Sequence, residues 1–103
     1  YAKADVIDSL KRIASKSNAS GKFDIYLSIA EKYRGKNTDS AIFYTQQALN
    51  LAREQGNTEK QSVATNEMGV VYYLNDQYQK AIKYYEEALF IDRIAIWRQP
   101  LRG

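Results

Sequence analysis

Along most of the chain apolar residues return every three or four positions, and short polar breaks divide the pattern into stripes. Val6, Ile7, Leu10, Ile13 and Ala14 form the first stripe, the spacing of one face of an α-helix. Asp5 stands where an N-cap belongs, Ser17-Asn18 ends the stripe, and Ser20-Gly21 reads as a joint. Phe23, Tyr26, Ile29, Ala30 and Tyr33 make a second face, stopped by Gly35, which suits a left-handed C-terminus. With Thr38 as its cap, a third stripe runs through Ala41, Ile42, Ala48, Leu49 and Ala52 as far as Gly56-Asn57. Asn57 or Thr58 caps the fourth, with Gln61 completing a capping box from Thr58; Ala64, Met68, Val71 and Tyr72 form its face. After Asn75-Asp76, a fifth stripe of Tyr78, Ala81, Ile82, Tyr85, Ala88 and Leu89 runs on through Ile91 towards Ile96, with no breaker before Pro100. The pattern predicts an all-α fold of about five helices. Five glycines and one proline in 103 residues fit long uninterrupted elements better than a turn-rich β fold.

The later helices are two copies of one unit. YLSIAEKY at 26–33 followed by SAIFYTQQAL at 40–49 aligns with TNEMGVVY at 65–72 followed by KAIKYYEEAL at 80–89. Ala30 to Gly69 and Tyr33 to Tyr72 are each 39 positions apart, and Ala41 to Ala81 and Ala48 to Ala88 are each 40. Small side chains at Ala30, Gly69, Ala41, Ala81, Ala48 and Ala88 let paired helix backbones approach closely, while tyrosines fill the space beside them. The division predicted is a flanking helix at 1–20, a first helix–turn–helix unit at 21–57, a second at 58–95, and a tail at 96–103. The first unit's inner turn, Tyr33 to Ala41, is one residue shorter than the second's, Tyr72 to Ala81.

At these positions the chain resembles the tetratricopeptide repeat family. Thr65, Met68-Gly69, Tyr72, Ala81, Tyr85 and Ala88 follow its pattern in the second unit, as do Tyr26, Ile29-Ala30, Tyr33, Ala41, Thr45 and Ala48 in the first. The resemblance spans 22–92. Thr65 replaces the family's bulky first residue, Thr45 replaces an aromatic, and no proline closes either unit. The period exceeds the family's usual value of about 34 and is similar to that of long-period repeats in bacterial regulators and sensors. The resemblance implies an α-solenoid that binds a peptide or partner helix on the concave face formed by the first helix of each unit. Partner-contacting positions would then include Leu27, Glu31 and Arg34 in the first unit and Asn66, Val70 and Tyr73 in the second. Leu27, Val70 and Tyr73 equally suit packing on the N-terminal helix or a neighbouring repeat, and Asn66 suits either a partner's backbone or plain solvent. Family members that clamp chaperone carboxylates present Lys and Asn here; the Leu27, Glu31, Asn66 and Val70 set reads against that specificity.

Composition narrows the chemistry. With no cysteine and no histidine, the chain lacks thiolate and imidazole metal ligands, a cysteine nucleophile and the usual general base near neutral pH. A non-enzyme with no catalytic residue, metal or cofactor is expected. Glu86, Glu87 and Asp92 read as helix-surface charges beside Lys80 and Lys83. The net charge of +3 is dispersed, and only Arg93, Arg98 and Arg102 make a sparse basic end; a nucleic-acid-binding helical domain is the alternative function, separable by its salt dependence. No apolar run has membrane-spanning length. The chain begins at Tyr1, which reads as a fragment or processed product of a larger protein, and its compartment stays unassigned. Of the tyrosines, Tyr33, Tyr72 and Tyr85 are expected in the core, while Tyr44, Tyr73 and Tyr84 are placed to rim an interface. Leu89, Ile94 and Trp97 lie on a last helix with no following helix to cover them, which predicts a homo-oligomer formed through that helix. The tail IAIWRQPLRG departs from the repeat, leaving open a truncated continuation or appended sequence.

Overall fold

The computed structural model describes residues 3–98. They form α1 (Lys3–Lys16), α2 (Ala19–Tyr33), α3 (Thr38–Glu54), α4 (Thr58–Leu74) and α5 (Tyr78–Arg98), with no strand among the described residues. Each helix packs on its sequence neighbour. The α2–α3 and α4–α5 hairpins are the tightest pairs, α3–α4 joins them, and α1 leans on α2.

The starts of α2, α3 and α4 are set by asparagine. Asn18, Asn37 and Asn57 hold extended backbone angles, and their side chains accept from the amides of Gly21, Ser40 and Lys60 at 2.9, 3.1 and 3.0 Å. Each bond satisfies an amide that has no partner within the first turn. Thr38 is therefore not the cap of α3, and Thr58 yields to Asn57; Thr38 instead donates its hydroxyl to Asn75 Oδ1 at 3.1 Å. Ser20 and Gly21 lie inside α2 rather than in a joint, and Asp5 lies inside α1. At the C-terminal ends, Gly35 and Gly56 take φ of 77° and 62°, and Asp76 fills the same left-handed role at 62°. The amides of Asn57 and Gln77 reach back to the carbonyls of Ala52 and Tyr72 at 3.0 and 2.9 Å, closing Schellman-type turns.

The extra residue of the second unit sits in helix rather than turn. α4 has 17 residues against 15 in α2, and the following link, 75–77, is shorter than 34–37. The helix gains backbone bonds that a longer loop would leave to water.

The core follows the small positions. Ala30, Ala41, Ala48, Ala52, Ala64, Ala81 and Ala88 are buried, interleaved with Ile29, Leu49, Met68 and Val71. Thr45 and Thr65 are fully buried without cost in unpaired hydroxyls, since each donates to the carbonyl four residues back, Ala41 and Gln61, at 2.7 Å. At Gly69 the Tyr85 ring of α5 lies directly on the α4 backbone: a Cβ built there would be 2.7 Å from its Cδ1 and Cε1. The equivalent pair in the first hairpin is Ala30 with Thr45. A larger residue on the first helix is matched by a smaller one on the second, which explains the missing aromatic at 45.

Two stripes are less buried than their spacing predicts. Val6 and Ile13 of α1 are exposed, leaving Ile7 and Ala14 to make its contact. On α5, Ala81 and Ala88 are buried, but Tyr78, Ile82 and Leu89 are exposed because no described helix covers their side.

Candidate interaction surface

The two hairpins are fastened by charge as well as packing. Arg34, the C-cap of α2, directs Nη1 at both carboxylate oxygens of Glu67 in α4, at 3.0 and 3.1 Å. Glu67 is largely buried, its side chain 12% exposed against 33% for Arg34. Burial pushes the Glu67 carboxyl above the ordinary glutamate range; the Arg34 charge opposes that shift, and the nearby Glu31 charge adds to it. A second tie runs from Lys60 Nζ to Ser20 Oγ at 2.9 Å, with the ammonium 5.1 Å above the Phe23 ring.

The residues read as partner-contacting from the resemblance divide by environment. On α4 the buried side is Ala64, Thr65, Met68 and Val71; the opposite side leaves Val63, Asn66 and Tyr73 exposed and Val70 half-buried. Glu31 is exposed on α2, Arg34 is committed to Glu67, and Leu27 packs against the cluster of Phe23, Ala48, Leu49, Ala52 and Ala64. The Tyr73 ring meets Tyr78 edge-on at 5.3 Å, and the Tyr78 hydroxyl donates to Asp76 Oδ1 at 3.0 Å.

Tyr33, Tyr72 and Tyr85, expected in the core, are half-buried. Tyr33 stacks on Tyr44 at 6.0 Å and Tyr72 on Tyr84 at 5.4 Å, so half-buried Tyr44 and Tyr84 belong to intramolecular stacks. Lys11 of α1 and Lys80 of α5 cover the rings of Tyr44 and Tyr72 at 5.6 and 5.3 Å.

A groove of about 750 Å³ opens between α4 and α5, lined chiefly by Glu59, Ser62, Asn66, Tyr85, Leu89 and Asp92. Leu89 is 61% exposed and Trp97 86%, with Ile94 half-buried. The repeat carried a signal for this groove: where the first unit has Phe23 and Ala52, the second has Ser62 and Asp92. Arg93 is exposed; the Arg98 side chain, Arg102 and the end of the tail lie outside the described residues. Among the described residues no cluster of carboxylates could hold a metal ion, and no helix is long and apolar enough to cross a membrane.

Two tandem helical hairpins, joined through small-residue crossings and offering one helix face outward, define a helical-repeat domain of tetratricopeptide type. A family model described as the SusR N-terminal TPR domain matches residues 1–90, and the chain belongs to that family. TPR domains are, as a class, non-catalytic scaffolds for protein interaction. No curated protein and no solved structure matches the chain.

Proposed function

We propose that this domain holds a partner peptide or partner helix on the outward face of α4 and the neighbouring part of α2. The observation that carries the reading is the stripe Val63, Asn66, Val70 and Tyr73. It follows one side of α4 for more than two turns and stays accessible while the other side is buried. Apolar and amide groups at helical spacing on a firmly packed helix suit groove-type recognition, in which rings supply area and amides fix register. Glu31, beside the Arg34–Glu67 pair, biases the adjoining rim against acidic partners. In this reading the chain is the interaction end of a larger bacterial regulatory or sensory protein, and the family's description as an N-terminal domain supports it.

The test is selection from a displayed peptide library at high salt, followed by titration of the recovered peptides. Val70→Glu and Tyr73→Ala should each weaken binding by about tenfold or more, the equivalent of about 1.4 kcal/mol, with helical circular dichroism and unfolding midpoint retained. Binding untouched by both substitutions would remove this face from the site. Affinity that collapses with added salt and prefers polynucleotide would instead favour the basic end of α5.

A further inference from the structure

The internal repeat shows what each inter-helix groove is built to hold. Positions 62, 66, 88, 89 and 92 of the second hairpin are equivalent to Phe23, Leu27, Ala48, Leu49 and Ala52 of the first. There those residues are buried or half-buried, and α4 is the helix that covers them, with Ala64 in the same cluster. Lys60, one turn before Ala64, reaches the hydroxyl of Ser20. In the second hairpin the same positions line the open groove. Leu49 is 3% exposed whereas its equivalent, Leu89, is 61% exposed. Ser20 is replaced by Glu59 and Ala52 by Asp92, and neither carboxylate has an ion-pair partner among the described residues.

We propose that the α4–α5 groove seats an amphipathic helix of a partner protein, entering as α4 enters the first hairpin. Its small residue, at the Ala64 position, rests on Ala88 and Leu89. A lysine or arginine one turn earlier, at the Lys60 position, meets the carboxylate of Glu59 where Lys60 itself meets a hydroxyl. Loss of the Phe23 and Ala52 side chains widens the groove and adds acid to it, so the occupant is a basic helix with bulkier neighbours than α4 has. This groove adjoins the outward stripe of α4 along Val63 and Asn66, which border both, and is read out by Glu59, Leu89 and Asp92, which the stripe lacks.

The probe is a fluorescein-labelled peptide with the α4 sequence of residues 57–74, lactam-bridged on its outer side to hold the helix and carrying Gln61→Lys to add basic charge. Fluorescence anisotropy against the full chain should show saturable binding. Leu89→Asp in the protein should weaken it by about tenfold or more. A peptide with Lys60→Glu should bind more weakly to the wild type and recover on the Glu59→Lys protein. That charge swap separates a seated helix from non-specific adhesion. No saturable binding to folded protein, or binding indifferent to Leu89→Asp and to the swap, would overturn the assignment. So would a dimer in sedimentation that Leu89→Asp dissolves while the peptide fails to bind, since a second copy would then own the groove.

Discussion

Replacing Gly69 with alanine puts a methyl group where the Tyr85 ring already lies. The added Cβ would be 2.7 Å from two ring carbons and 3.2 Å from a third, well inside contact distance. Overpacking of this kind costs about 1–3 kcal/mol. Against it stands the better helix propensity of alanine, about 1 kcal/mol over glycine inside a helix. The groove beside Tyr85 gives the half-buried ring some room to turn, which holds the cost to the middle of that range, about 2 kcal/mol. A net destabilisation of about 1 kcal/mol is expected, lowering the thermal midpoint by about 4–8 °C for a domain this small. Tyr85→Thr imports the partner that the first hairpin uses opposite Ala30. In that background the clash is gone, and Gly69→Ala should become stabilising by about 1 kcal/mol. Urea unfolding followed by circular dichroism on the four proteins of the cycle measures the coupling, expected at about 1–3 kcal/mol. If Gly69→Ala alone raised stability by its full propensity gain, or had the same effect in both backgrounds, the close crossing of α4 and α5 at Tyr85 would be refuted.

Asn57→Ala removes the acceptor for the Lys60 amide and should cost about 1 kcal/mol, seen as a lower urea midpoint at unchanged m-value; an unchanged midpoint would mean Thr58 takes over the cap. Glu67→Gln tests the buried carboxyl. Because the folded-state pKa of Glu67 is raised, its protonation favours the fold below the ordinary carboxylate range, and that contribution is lost as pH rises through the raised value. Wild-type stability relative to Glu67→Gln should therefore fall as pH rises above the ordinary glutamate range, measured as the difference in urea midpoints. A difference moving the other way would show that Arg34, rather than burial, dominates the site.

The helices and their inward faces were legible in the sequence because both depend on local geometry: a 3.6-residue period and small residues that recur where backbones must cross. Ala30, Ala48, Gly69 and Ala88 could be found by eye, and the family pattern followed from them. Tertiary structure decided what depends on neighbours distant in sequence. Asn37 and Asn57 outcompeted the adjacent threonines because the cap falls to the residue whose backbone is extended and whose side chain reaches the third amide. Thr45 entered the core because Ala30 left no room for a ring there and its hydroxyl found a carbonyl within its own helix. Leu49 and Leu89 occupy the same place in the same repeat pattern, yet α4 covers one and no described helix covers the other. The Arg34–Glu67 pair, 33 positions apart, exists only once α2 and α4 are set side by side. A stripe records which side of a helix avoids water; which body excludes that water is a property of the assembled fold.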